Sequence, residues 1–184
     1  MTSADPILSA ATDLFREKGL TFTMQDLADR MHISKKTIYK KYRSKESLLL
    51  SLTEYGFDRI QNSKQAVLNS QMELSEKLGA ALIALPDDYQ TLDFRRLGEL
   101  GEKYPSVLDS IIRNLKSGWE PIFALLDQGI QSGLFRPVPH LILQQIVTSS
   151  IDAFLDGRSL HLAGISYQEA LESLSVILMK GICI

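Results

Sequence analysis

Cysteine is nearly absent from this sequence, since Cys183 is the one cysteine in 184 residues. No disulfide can therefore form within the chain, and a protein without disulfides suits a reducing compartment. The N-terminus has no basic segment followed by an apolar run, which argues against a signal peptide. The longest apolar run, Ala80 to Leu85, is far too short to span a membrane. We therefore expect a cytoplasmic protein.

Signatures of catalysis are also missing. The three histidines, His32, His140 and His161, show no metal-ligand spacing. Cys183 has no base nearby in the sequence that could activate it as a nucleophile. Neither a glycine-rich phosphate loop nor a nucleophile elbow is present. We expect no catalytic residue, no metal and no cofactor, so an enzyme is the least favoured interpretation.

Alternating apolar and polar residues, the pattern of a β-strand, are not found, whereas helical spacing recurs along the whole chain. The sequence therefore predicts an all-α fold with about nine helices. Their expected ranges are Ile7–Gly19, Met24–Met31, Ser34–Tyr42, Lys45–Ser70, Met72–Leu85, Thr91–Lys103, Pro105–Ser132 with a kink at Pro121, Val138–Leu155 and Ser166–Gly181.

Positive charge is concentrated near the N-terminus. Six Lys or Arg and no carboxylate lie between His32 and Lys45, although the chain carries a net charge of −2. Residues 1–50 contain nine Lys or Arg against six Asp or Glu, and residues 51–184 contain eleven against sixteen. A basic end on an acidic body indicates a polyanionic partner.

Two short predicted helices carry this charge. Thr23 is the expected N-cap of the first, and Ser34 is the expected N-cap of the second. The turn between them places His32 in a left-handed conformation, which histidine adopts more readily than most residues. Only Ile38 and Tyr42 face inward on the second helix, which leaves its basic and hydroxyl side chains outside. A helix held by one edge and exposed elsewhere is typical of recognition in the major groove.

The run SKKTIYKKYRSKESL, from Ser34 to Leu48, resembles the DNA-binding domain of the TetR family of bacterial transcriptional regulators. The resemblance covers residues 7–52 and includes the family positions held by Ala11, Phe15, Gly19, Thr23, Leu27 and Ala28. It departs from the family at His32 and Lys36, where glycine is frequent. Outside this region, the segment from Ser132 to Pro137 is the one further short motif that resembles the family.

The resemblance implies a homodimeric regulator, a repressor, that binds palindromic operator DNA and leaves it when a small molecule enters the C-terminal domain. Residues 1–48 would form a three-helix, helix-turn-helix domain, and residues 49–184 a larger effector-binding and dimerisation domain. The family positions that reach bases correspond to Gln25, Lys35 and Lys36. Those that contact phosphates correspond to Thr37, Tyr39, Lys41 and Lys45. The full set of candidate DNA-binding residues is Thr23, Gln25, Ser34, Lys35, Lys36, Thr37, Tyr39, Lys40, Lys41 and Lys45.

Large apolar residues gather on the predicted sixth and seventh helices. The candidate effector-binding residues are Phe94, Leu97, Leu100, Tyr104, Trp119, Ile122 and Phe123. Arg95, Arg96 or Gln145 would orient a ligand among them. A mostly apolar wall favours a hydrophobic or amphipathic effector. The alternative is that these residues are ordinary core.

The last two predicted helices are apolar on more than one face, which indicates full burial or a shared interface. A two-fold interface of four helices would satisfy this pattern. The candidate dimer-interface residues are Ile142, Ile146, Ile151, Leu171, Leu174 and Leu178. An intramolecular core is the alternative.

The competing function is a non-specific or architectural DNA-binding protein without an effector. Its basic helix would hold only phosphates, so its affinity would not depend on sequence. More than 100 residues beyond the basic region argue against it, because DNA packaging needs no such domain. In either case the protein would be cytoplasmic and associated with the nucleoid when bound to DNA.

Overall fold

The computed structural model describes residues 5–89, 100–156 and 158–184, and within these ranges the chain is predominantly α-helical. The helices are α1 (Pro6–Lys18), α2 (Met24–Met31), α3 (Lys35–Lys41), α4 (Lys45–Leu68), α5 (Leu74–Leu82), α6 (Leu100–Lys103), α7 (Pro105–Leu115), α8 (Glu120–Gln131), α9 (His140–Asp156), α10 (Arg158–Ala163) and α11 (Tyr167–Ile182). Nine of them have seven residues or more, and no strand occurs in the described ranges, so the all-α prediction is confirmed.

Side-chain caps fix the starts of several helices. The Thr23 hydroxyl accepts a hydrogen bond from the amide of Asp26, whose carboxylate accepts one from the amide of Thr23. Ser34 and Ser44 cap α3 and α4 through the amide three residues on. Such caps satisfy amides that have no partner inside the helix. His32 ends α2 with φ 54° and ψ 39°, as its place in the turn predicts.

The N-terminal core is enclosed by α1, α2, α3 and the first turns of α4, and α6 and α7 add Leu100 and Val107. Phe22, Leu27, Ile38 and Leu48 are fully buried in it. Ile38 and Tyr42 are the inward residues of α3, as predicted. Leu27 and Ile38 come from α2 and α3, short helices that could not bury their apolar sides alone.

A second core lies among α5, α8, α9 and α11. Leu78, Leu126 and Leu143 are buried at its centre. The 24 residues of α4 extend over about 36 Å, from the N-terminal core to the edge of the second core at Leu68. The helix is continuous through residues 48 and 49, where the sequence predicts a domain boundary.

The prediction of one helix from Pro105 to Ser132 is wrong, because the chain forms α7 and α8 with a break between them. α7 ends at Leu115, Gly118 adopts φ +67° in the segment that follows, and Pro121 lies in the first turn of α8. A proline there lacks the amide that a continuing helix would need. The break thus precedes the predicted kink.

Three other helices differ from prediction. α5 is shorter than the expected Met72–Leu85, and α10 was not expected. Of the expected Thr91–Lys103 helix, the described residues are Leu100–Lys103, and the remainder lies outside the described residues.

Phe135 connects α8 to the C-terminus. It forms an isolated antiparallel bridge with Cys183, and its ring lies directly on Gly129. A Cβ at Gly129 would meet Phe135 Cδ2 at 1.9 Å. Glycine is therefore required at residue 129 for this packing.

Candidate functional site

The outer face of α3 is exposed and basic. Lys35, Lys36 and Lys40 all face solvent, and Thr37 and Lys41 are exposed beside them. The Tyr39 side chain is 44% exposed although it is large and aromatic. The sequence prediction of a helix presented by its polar side therefore agrees with the position of α3 in the structure.

Tyr42 and Lys41 tie α3 to the start of α1. Both the Tyr42 hydroxyl and the Lys41 ammonium group donate to the Asp5 carboxylate, and Lys41 Nζ lies 2.7 Å from Asp5 Oδ2. Burial raises the pKa of Asp5, but the hydrogen bonds from Lys41 and Tyr42 outweigh it and leave the pKa lowered. Lys41 must exchange this carboxylate for a phosphate if it contacts DNA.

The remaining hydroxyl and amide candidates are exposed but already bonded within their own helices. Thr23 and Ser34 act as N-caps, as described above. The Gln25 side-chain amide donates to Asp29 Oδ1 at 2.6 Å, one turn further along α2. The exposed Gln25 amide can exchange Asp29 for another acceptor, since an exposed hydrogen bond contributes little net stability.

Lys45 does not project into solvent in the way that a phosphate contact would suggest. Its ammonium group turns inward and donates to the carbonyl oxygens of Leu20 and Phe22, each at 2.5 Å, above the Phe22 ring. Burial, followed by repulsion from Lys103, lowers its pKa. Lys45 therefore has a structural role that its place in the sequence does not indicate.

A cavity of about 200 Å³ lies between α1, α4, α5, α6, α7, α8, α9 and α11. One face of α4 forms its longest wall. The lining residues of this face are Leu49, Leu52, Thr53, Gly56, Phe57, Ile60, Gln61 and Lys64. Their spacing of three and four residues continues over sixteen positions, which are fifteen steps or about 22 Å of helix.

Three of the predicted effector-binding residues, Leu100, Trp119 and Ile122, line this cavity. Tyr104 and Phe123 lie outside it. The Phe123 ring stacks on His140 at 4.3 Å between ring centroids, and Tyr104 packs against the N-terminal core.

The other sequence candidates are absent from the cavity wall or from the described residues. Gln145 is exposed and donates to Ser149 Oγ. Phe94, Leu97, Arg95 and Arg96 lie outside the described residues.

Leu20, Leu49, Leu100 and Val107 belong to two structures at once. They are buried in the N-terminal core, and the same side chains line the cavity. The contribution of α1 and α4 to the cavity was not predicted from the sequence. The apolar spacing of α4 carried the signal, but it does not reveal what the helix faces.

An ion-pair cluster joins α1 to α4 beside the cavity. Arg59 donates two hydrogen bonds to the Asp88 carboxylate, at 2.9 and 2.5 Å, and Arg16 donates a third at 3.2 Å. The Arg59 hydrogen bond is the main cause of the lowered pKa of Asp88. Tyr89, the next residue, lines the cavity, so this cluster links the cavity wall to α1.

Apolar side chains are exposed along α9 and α11, which pack against each other. Ile142 is 50% exposed and Ile177 is 69% exposed, and Leu141, Ile146 and Val176 are exposed on the same two helices. We call these five residues the apolar face. Singly exposed apolar residues are ordinary, but five on two helices that pack together favour an interaction surface.

Only Ile142 and Ile146 of the predicted interface residues belong to the apolar face. Ile151 and Leu171 line the cavity, while Leu174 is buried and Leu178 packs on the second core. The sequence interpretation selected the inward side of α11, because both sides of that helix are apolar.

Within residues 5–89, 100–156 and 158–184, no three His, Cys, Asp or Glu side chains are grouped so as to hold a metal ion. No helix in the described part of the chain is both long and apolar enough to cross a membrane.

The sequence profile of the TetR family of bacterial regulatory proteins matches residues 7–52, the segment that contains α2 and α3. A relative from Bacillus subtilis (strain 168), the uncharacterized HTH-type transcriptional regulator YvaF, is 27% identical over 177 residues. These are 96% of this chain and 93% of that protein.

Solved structures share the fold over nearly the whole length. The TetR family regulator PfmR from Thermus thermophilus is 22% identical with a TM-score of 0.60, covering 96% of this chain and 98% of that one. A TetR transcription regulator from Haloarcula marismortui is also 22% identical, with a TM-score of 0.69, covering 95% and 93%.

Proposed function

Because this chain belongs to the TetR family of transcriptional regulators, we propose that it is a homodimeric repressor of palindromic operator DNA, released by a small molecule. Residues 1–48 form the DNA-binding unit in this proposal, and residues 49–184 bind the effector and the second subunit. The exposed Lys35 and Lys36 read base edges with Gln25, while Thr37, Tyr39 and Lys41 hold phosphates.

The observation that carries the release mechanism is the double role of Leu20, Leu49, Leu100 and Val107. A molecule that fills the cavity contacts the same side chains that hold the DNA-binding unit on α4. Packed cores respond to added volume by shifting between arrangements. The effector must bind the released arrangement more tightly, since equal affinity for both would shift nothing.

The apolar face supports dimerisation. Packing α9 and α11 against their copies would remove Ile142, Ile146 and Ile177 from water and form a four-helix interface. In the DNA-binding state, the two α3 helices would lie about 34–36 Å apart, one turn of DNA. A movement of α4 in each subunit would change that separation.

Selection from a random duplex library at stringent salt tests the proposal. The expected result is a palindrome of two half-sites, retained by a species that sediments as a dimer. Uniform, steeply salt-dependent retention without a consensus would contradict it and favour the architectural alternative. The recovered operator then serves to screen molecules for release.

A further inference from the structure

We propose that the effector is an amphiphile with one negative charge, held by Lys64 at one end of the cavity with its apolar body extended along α4. The inference rests on the proposed function, because it names the chemical class of the molecule that fills the same cavity.

The cavity wall contains one charged side chain among the described residues, and it is a cation. Leucine, isoleucine, valine and aromatic residues dominate the rest, and no aspartate or glutamate lines the cavity there. An apolar wall with one fixed charge selects a ligand that is mostly apolar and carries the opposite charge.

Lys64 has no hydrogen-bond acceptor or carboxylate partner in the part of the chain that the structure describes. Its ammonium group lies 6.0 Å from the centroid of the Trp119 ring and makes no hydrogen bond or ion pair with a described residue. By contrast, Arg59 is paired with Asp88, and Lys45 is bound to two carbonyl oxygens.

Burial removes water from the Lys64 ammonium group and so disfavours its charged form. This desolvation lowers the pKa of Lys64. An anion beside Nζ would offset this desolvation cost and form a charge-assisted hydrogen bond. A neutral molecule of the same shape would leave the cost in place, so the cavity discriminates by charge.

Gln61 is the polar group best placed to assist Lys64. It lies three residues earlier on the same face of α4, and its amide lies against the turn between α7 and α8. A Cβ at Gly118 would come within 2.9 Å of Gln61 Nε2. The other donors nearby are occupied, because Trp119 Nε1 donates to Leu115 O and Asn114 Nδ2 to Ser110 O.

The shape of the cavity sets the orientation of the ligand. Lys64 is at one end of the α4 wall, and Leu49 is at the other, about 22 Å away. With its charge at Lys64, an extended apolar body points toward Leu20 and Leu49 in the N-terminal core. One cation balances one negative charge, so a multiply charged ligand would carry uncompensated charge into an apolar space.

Intrinsic fluorescence can measure binding, because Trp119 is the sole tryptophan of the chain and lines the cavity. The full-length protein is titrated at neutral pH with decanoate, decan-1-ol and decyltrimethylammonium, which share one tail and differ in charge. The variants are Lys64→Met, Lys64→Arg and Lys116→Met. The last removes the same charge from an exposed position near the cavity and is the matched control.

We expect decanoate to bind the wild type more tightly than either other probe. Lys64→Met should weaken decanoate binding about 10- to 100-fold while decan-1-ol binding stays the same, which shows that the cavity is intact. Lys64→Arg and Lys116→Met should retain decanoate binding within a few-fold.

Equal binding of decanoate and decan-1-ol by the wild type would overturn the proposal without reference to any variant. So would undiminished decanoate binding by Lys64→Met, or no saturable decanoate binding at all.

The recovered operator separates this inference from the proposed function. If decanoate binds through Lys64 but operator affinity is unchanged, the charge selectivity stands and the release mechanism fails. If a neutral or cationic molecule fills the cavity and releases the operator while decanoate does not bind, the release mechanism stands and the charge class fails.

Discussion

Replacing Lys45 by methionine removes two hydrogen bonds from the fold together with one positive charge beside the DNA-binding surface. The lost bonds are those to the carbonyl oxygens of Leu20 and Phe22. Hydrogen bonds to a charged group contribute about 1.5–3 kcal/mol each. Burial already lowers the pKa of Lys45, so part of that gain is offset by desolvation of the ammonium group. We expect the free energy of unfolding to fall by about 1–3 kcal/mol.

For a chain of this length, that loss corresponds to a decrease in Tm of about 2–12 °C. Thermal unfolding followed by circular dichroism measures it. Lys40→Met is the matched control, because Lys40 is exposed on α3 and makes no bond within the described chain. It should weaken operator binding and leave Tm unchanged. Equal melting of Lys45→Met and the wild type would refute the structural role of Lys45.

Four further predictions concern other parts of the molecule. Tyr39→Ala should weaken operator binding at least about tenfold in a titration at fixed salt without changing Tm, since the side chain is exposed. Ile177→Glu should convert the proposed dimer to a monomer in sedimentation, and a dimer of this variant would exclude the apolar face as the interface. Gly129→Ala should cost about 1–3 kcal/mol in denaturant unfolding, because its Cβ would overlap Phe135, and unaltered stability would contradict that packing. Because the pKa of Asp88 is lowered, its ion pairs stabilise the protein fully at pH values above the ordinary aspartate pKa near 4. This contribution is lost as the pH falls through the lowered pKa. Asp88→Asn should therefore reduce neutral-pH stability and flatten its decline below about pH 4; parallel pH curves would contradict this.

Local signals in the sequence predict local structure well in this protein. The caps at Thr23 and Ser34 and the left-handed turn at His32 depend on neighbours within four residues, so they could be read directly. The break between α7 and α8 could not be predicted, because helical spacing of apolar residues continues through residues 116–119. Gly118 alone gives no indication of whether a helix bends or stops there.

The candidate site was harder to predict because it depends on how the helices rotate in the fold. Trp119 and Phe123 lie one turn apart, yet only Trp119 reaches the cavity, while Phe123 stacks on His140. Lys45 looks like any other lysine of the basic run until the carbonyls of Leu20 and Phe22, more than twenty residues earlier, are brought beside it. Sequence spacing predicts which residues share a face of a helix, but not which parts of the fold that face contacts.

The two ends of the cavity differ in how they are tied to the DNA-binding unit. Substitutions at Leu20, Leu49, Leu100 or Val107 alter the packing of the DNA-binding unit. The need to keep that packing therefore limits which side chains can line this end of the cavity. Lys64 lies at the opposite end and is not part of the N-terminal core. If a ligand fills the cavity as proposed, its preference can therefore be changed around Lys64 while the packing against the DNA-binding unit is kept.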